Sequence, residues 1–379
     1  MFSNTEKNRR LAAAQAVMDK AELRAVYLLG NSVVGTYPFG IQRYFSDNRI
    51  VFFIRSIVFI KNQEPVAVVA DLMNKLNLIQ SSFVQNAVIN ADQVQGVIDL
   101  LKDNGIENGR VGTILEILPA AWLIRLQEAL PGVEFVDVSE ELFALRTVRS
   151  AEEIEAERFS ARIADAGYKA LCETAKPGVY ENEVVAAIDK AMQKLGAEES
   201  FALITSGKFS LDNNNMRPLH NYSAYNREIK AGDIVAAEIT PRYNGYWTQK
   251  VRTICIEEKN EDAEAIRQVI VGAIDAAKPI MKAGTSISDI TKMMREYTEN
   301  AGYKFVAPSG HLAGIDLDEG GTTETNTMLL RNGMLLILHP TVINDKMDTS
   351  IFWGESYIIT DDGYEEPMQS GDALFTTGK

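Results

Sequence analysis

Residues 232–253 read GDIVAAEITPRYNGYWTQKVRT. Gly232 and Asp233 make a turn that feeds the apolar run Ile234, Val235, Ala236 and Ala237, ending at the carboxylate of Glu238. A short polar turn with Asn244 and Gly245 follows, then a second strand-like run from Tyr246 and Trp247 that carries Gln249. Two β-runs joined through an Asn-Gly pair predict a hairpin, because that pair accepts the left-handed backbone a tight turn requires. Across such a hairpin Glu238 and Gln249 face each other. A carboxylate at the end of an apolar strand is costly to bury without a partner, which makes Glu238 a site candidate on physical grounds.

Outside this stretch, the 379 residues have room for two domains of ordinary size. A hydrophobic content of 46% with 24% charged residues is that of a soluble globular chain. The net charge of −14, with no basic tract to offset it, argues against a nucleic-acid partner. The first 24 residues lack the apolar core of a signal peptide, and no run reaches the length of a membrane span. Cys172 and Cys255 make no disulfide framework, so a reduced, cytoplasmic setting is expected.

Apolar spacing predicts a helix over residues 1–24, with Leu11, Ala14, Val17 and Met18 on one side. Strands are expected at residues 25–29, 50–60 and 66–70. Residues 92–145 alternate helical runs (93–104, 120–129) with short strands (110–113, 134–137), the signature of an α/β domain. Tyr37, Phe39, Tyr44 and Phe45 read as core packing. Ser150 with Glu153 three residues on is a capping-box signature opening a long helix to about Thr174. A helix–Gly–helix pattern around Gly178 recurs around Gly284, a pattern common to many helical chains.

The pattern at residues 232–253 resembles that of the pita-bread metallopeptidases and their relatives, including methionine aminopeptidase, Xaa-Pro aminopeptidase, prolidase and creatinase. The chain keeps Gly232, Asp233, Gly245, Tyr246, Arg252 and Thr253 of that pattern. Glu238 and Gln249 stand where the family has its two aspartates. The resemblance implies an α+β pita-bread domain over residues 148–379 after a smaller creatinase-type α/β domain over residues 1–147. It also implies a homodimer.

It carries three further site positions. His311, in a Ser-Gly-His run, takes the place of the family histidine; His339 stands where a Glu precedes Pro; and Glu355 keeps the last carboxylate. His220 matches an upstream histidine with a proton-shuttling role, and Asp318 replaces a second downstream one. Arg217, in a polar loop with Asn213, Asn214 and Asn215, is a candidate clamp for a substrate carboxylate. A lone histidine on an apolar strand is more often a satisfied core residue. Here all three histidines of the chain fall at site positions, which favours a functional cluster.

The usual set holds two divalent ions with four carboxylates, and this chain offers Glu238, Gln249, His311, His339 and Glu355, of which two are carboxylates. A dinuclear centre is therefore not expected; one Zn, Mn or Fe ion at Glu238, His311, His339 and Glu355, or none, fits the charge. The expected function is hydrolysis of a C–N or similar bond in a small polar substrate. His220, His311, Glu238 and Glu355 are the catalytic candidates; Arg217, Gln249, His339 and Asp318 are the substrate-binding ones. Val251 stands where creatinase places a Glu, which argues against creatine. The alternatives are an Xaa-Pro peptidase with a mononuclear site, a lyase on the same scaffold, and a catalytically inactive binding module.

Overall fold

A computed structural model describes residues 2–30, 39–49, 55–207, 219, 225–370 and 373–378. The chain divides into two compact units: Met1–Glu152 with Ile315–Leu317, and Glu153–Gly314 with Asp318–Lys379.

The first unit runs α1 (Asn4–Lys20), β1 (Leu23–Gly30), α2 (Ile41–Ser46), β2 (Arg55–Ile60), β3 (Val66–Val69), α3 (Leu72–Gln80), β4 (Asn86–Ile89), α4 (Gln93–Asp103), β5 (Asn108–Thr113), α5 (Ala120–Ala129), β6 (Gly132–Asp137) and α6 (Ser139–Thr147). Its mixed sheet has the order β4-β3-β2-β1-β5-β6. The hydroxyl of Ser3 caps α1 by accepting from the Glu6 amide at 3.2 Å, and Asp92 caps α4 in the same way. Helix α1 buries Ala14, Val17 and Met18 as expected, but it also buries Arg10. That guanidinium bonds Glu6 at 2.6 Å and lies over the rings of Phe2 and Tyr44. Tyr44 and Phe45 are fully buried core residues, Phe39 is exposed and not part of the core, and Tyr37 lies outside the described residues. Helix α3 and strand β4 have no counterpart in the sequence reading. Leu72, Met73 and Leu76 of α3 are exposed, so no apolar stripe marks the helix.

The second unit runs α7 (Ala151–Thr174), α8 (Glu181–Lys194), β7 (Glu199–Gly207), β8 (Ile234–Tyr243), β9 (Tyr246–Trp247), β10 (Lys250–Cys255), α9 (Glu261–Ala277), α10 (Ile287–Asn300), β11 (Lys304–Val306), β12 (Gly310–Ala313), β13 (Gly320–Gly321), β14 (Leu335–Leu338), β15 (Thr341–Ile343), β16 (Ser350–Phe352), β17 (Gly354–Ile359) and β18 (Tyr364–Glu365). Its main sheet has the order β13-β12-β14-β17-β10-β8-β7, every pair antiparallel. The hairpin forms as expected, with Asn244 and Gly245 both at positive φ. Strand β8 does not end at Glu238. It continues to Tyr243, because residues Ile239 to Arg242 keep their pairing with β7.

The repeat is present in the backbone. Gly178 donates to the carbonyl of Ile229 between α7 and α8, and Gly284 donates to Leu330 between α9 and α10. Both glycines have a φ near +90°, which an L side chain resists. Helices α7 and α8 cover Val235, Ala237, Ile239 and Ile254 of one half-sheet. Helices α9 and α10 cover Leu336, Leu338, Tyr357 and Ile359 of the other. Side chains alternate across a strand, so each strand has a helix face and an opposite face.

Candidate functional site

Strand period places Glu238 and Thr240 of β8 on the face opposite the helices. Gln249, just before β10, joins them there: its Nε2 donates to Glu238 Oε1 at 2.7 Å and to Thr240 Oγ1 at 3.1 Å. Ser356 of β17 fixes the backbone of Gln249 at both ends. Its hydroxyl accepts from the Gln249 amide at 3.0 Å and donates to the Gln249 carbonyl at 3.1 Å. Across the sheet, His311 of β12 brings Nε2 to 3.3 Å from Gln249 Oε1, while its Nδ1 lies 3.1 Å from the Leu312 carbonyl. Glu238, Gln249 and His311 therefore form a continuous row. We call this the site face.

His339 stands at the edge of the row. Its ring meets that of His311 edge-on at 5.3 Å between centroids and that of Phe352 at 5.1 Å. Its Nδ1 is buried and has no hydrogen-bond partner. Burial, and then the neighbouring His311, pushes the His339 imidazole down to about 3, so it is neutral in the ordinary pH range. Burial pushes the Glu238 carboxyl up to about 7, so both of its protonation states are populated near neutrality.

Glu355 departs from the expectation. It pairs in register with Lys250 and Leu338, whose side chains point to the helices, and it lies on the helix face. There its Oε2 accepts from Arg252 at 2.7 Å and Lys250 at 3.2 Å. Lys250, fully buried, also bonds Asp165 of α7 at 2.9 Å. An offset of one residue along a strand exchanges the two faces. Gly354, one position earlier, is the residue of β17 that pairs with Val251 on the site face. Glu355 is thus corrected from a catalytic and ligand position to a buried ion-pair partner.

Asp318 turns on its own loop, its Oδ1 accepting from the Gly320 amide at 2.9 Å. His220 and Arg217 lie outside the described residues. The sequence reading missed Thr240, Ser356, Lys250 and Asp165. Thr240 was reachable from Glu238 by strand period; Ser356 and Lys250 needed the register between β10 and β17.

The donor set does not fit the metal centre that the resemblance implies. Of the five carried positions, Glu238 is the one carboxylate on the site face, and one of its oxygens is taken by the Gln249 amide. Val251 stands directly opposite Glu238, so no second carboxylate faces it there. Among the described residues, no three His, Cys, Asp or Glu side chains converge closely enough to hold an ion. The single-ion set of Glu238, His311, His339 and Glu355 is broken by the placement of Glu355.

Comparison with known proteins gives the lineage. Residues 155–361 match the model of metallopeptidase family M24, and residues 10–148 match the creatinase/prolidase N-terminal domain. Creatinase of a Bacillus species is 26% identical over 367 residues, covering 90% of this chain and 84% of that protein. A Xaa-Pro dipeptidase of Pyrococcus furiosus is 26% identical over 235 residues, 61% of this chain and 65% of that protein. Among solved structures, an X-Pro aminopeptidase from Thermotoga maritima superposes with a TM-score of 0.84 at 18% identity, covering 97% of this chain and 99% of the other. The prolidase from Pyrococcus horikoshii gives 0.82 at 21%, with the same coverage. These likenesses establish the pita-bread fold, and a divalent ion is compatible with membership of such a family. No helix among the described residues is long and apolar enough to cross a membrane. With its second unit matched by the M24 model and its first by the creatinase/prolidase N-terminal domain, the chain belongs to metallopeptidase family M24, whose named relatives here make it a hydrolase of the creatinase/prolidase type.

Proposed function

We propose that this chain hydrolyses a C–N or similar bond in a small polar substrate by side-chain acid–base chemistry, without a dinuclear metal centre. The observation that carries this reading is the row Glu238–Gln249–His311, in which an amide joins the Glu238 carboxylate to an imidazole. Glu238, poised near neutrality, is suited both to take a proton from water and to return it. In the hydrolytic step the water oxygen bonds the substrate carbon as the C–N bond breaks. One water proton goes to the base, and the departing nitrogen leaves protonated. His220 serves as the shuttle to that nitrogen, a role resting on sequence alone. Neutral His339 offers its unpartnered Nδ1 to a polar group of the substrate.

The relatives named Xaa-Pro dipeptidase favour a second reading, in which a Xaa-Pro dipeptide is cut with one bound ion. A panel of Xaa-Pro dipeptides, guanidino acids and ureido acids, each assayed with and without chelator, separates the two. The main reading expects chelator-insensitive turnover that is lost in Glu238→Gln and His220→Ala. Turnover of Xaa-Pro dipeptides only after Mn addition establishes the second instead. Oxygen from isotopically labelled water in the product distinguishes hydrolysis from a lyase reaction, and binding without turnover marks an inactive module. The homodimer is checked by light scattering.

A further inference from the structure

We infer that Gln249 is the residue that closes the site face to divalent cations, its amide filling the place an ion would take between Glu238 and His311. The inference rests on the metal-independent reading above and names the device behind it.

The amide is held on every side. Its NH2 group, a pure donor, is turned onto Glu238 Oε1 at 2.7 Å and Thr240 Oγ1 at 3.1 Å. Its oxygen faces His311 Nε2 at 3.3 Å. Its backbone is clamped by Ser356 through both the amide and the carbonyl. A cation approaching Glu238 Oε1 would meet the N–H hydrogens turned onto Glu238 and Thr240, which carry positive partial charge. To bind, it would have to break the bond to Glu238 and swing a side chain whose main chain is fixed.

A second observation points the same way. The neighbouring strand cannot supply a replacement ligand at the paired position. Gly354 sits across from Val251, and a Cβ built there would lie 1.8 Å from the Leu338 carbonyl oxygen and 2.5 Å from His339 Cα. Both are backbone atoms, so β14 and β17 would have to part before any side chain fitted. The route left to a cation site is through position 249 itself. There, Gln249→Asp replaces a donor by a carboxylate aimed at the same gap, giving two carboxylates and an imidazole at one point.

The test is Co2+ titration of the full chain after dialysis against chelator, followed by visible absorption and calorimetry. Wild type, Gln249→Asp and Gln249→Glu are compared, with Gln249→Met as a chain of similar length without charge. The expected result is a gain of Co2+ affinity on the order of 100-fold in Gln249→Asp. Gln249→Met should show no such gain, and His311→Ala in the Gln249→Asp background should abolish it. If Gln249→Asp fails to fold, judged by circular dichroism and melting, Gln249→Glu carries the same prediction. A folded carboxylate variant with no gain, beside a wild type that also binds no Co2+, overturns the role of Gln249 and leaves the metal-independent reading standing. Stoichiometric Co2+ binding by wild type, lost in His311→Ala, overturns both.

Discussion

On one face of strands β8, β10 and β17 the charge is sparse: Glu238 rests on the Gln249 amide, and beside it a neutral His339 leaves a ring nitrogen unpartnered. One residue along the same strands, on the other face, charge is dense and matched. Lys250 lies between Asp165 and Glu355, and Arg252 bonds Glu355 and the Gly354 carbonyl while stacking on Trp353 at 4.4 Å. Asp165 also accepts from the Gln369 amide at 2.7 Å, tying the segment after β18 to α7. The helix face spends its ions on holding helices and sheet together. The site face instead joins neutral partners to a desolvated Glu238 and leaves the Nδ1 of His339 without a hydrogen-bond partner. A β-strand can separate these roles by alternation alone.

The comparison breaks most sharply at Lys250. Lys250→Met leaves Asp165 and Glu355 without a shared cation in a buried place, and stability should fall by about 3–5 kcal/mol. Denaturant unfolding at neutral pH reads this directly. A change below about 1 kcal/mol would show that the helix-face network is not structural.

His339 gives the next effect. Its folded pKa of about 3 lies below the ordinary 6.5, so the unfolded chain binds the proton more readily. Its contribution to stability is present above pH 6.5 and is lost as pH falls toward 3. The full loss is about 5 kcal/mol. His339→Asn should flatten the acid limb of a stability–pH curve. An unchanged slope contradicts a neutral buried imidazole.

Glu238 acts in the opposite window. Its folded pKa of about 7 lies above the ordinary 4.5, so the protonated form is favoured on folding. That advantage is complete below pH 4.5 and is lost as pH rises through 7. Glu238→Gln should therefore be more stable than wild type at pH 8, by about 2–3 kcal/mol, relative to the difference at pH 4.5. It should also lose turnover. A pH-independent difference would mean that the carboxyl is not desolvated.

The smallest effect belongs to Ser356. Ser356→Ala removes both bonds to the Gln249 backbone and should cost about 1–2 kcal/mol. Turnover should fall more than stability suggests, because the Glu238–Gln249–His311 row loses its anchor.

Much of this was legible from residues 232–253. Asn244 and Gly245 fix the turn and put Glu238 and Gln249 on one face, but the residue directly opposite Glu238 is Val251, and the Gln249 side chain reaches the carboxylate diagonally. His311 was found because it stands in a motif whose strand lies across the sheet from Gln249. Glu355 was misplaced because a carboxylate in a matching motif says nothing of which face its strand presents. Register decides that, and register is set by the distant pairing of Lys250 with Glu355 and of Leu338 with Glu355. Strand β8 runs past Glu238 because its nine-residue pairing with β7 carries Pro241 and Arg242 into the sheet, a long-range contact that local sequence does not show. The buried Arg10 of α1 could not be anticipated either, since its burial depends on Phe2 and Tyr44 closing over it.

The central claim is that the site face works through its own side chains. The most direct measurement is metal content by elemental mass spectrometry on untagged protein, with melting temperature and turnover recorded before and after chelator. The account predicts no stoichiometric ion, and melting and turnover that chelator leaves unchanged. One or two ions per chain, removed together with activity and with a fall in melting temperature, would contradict it.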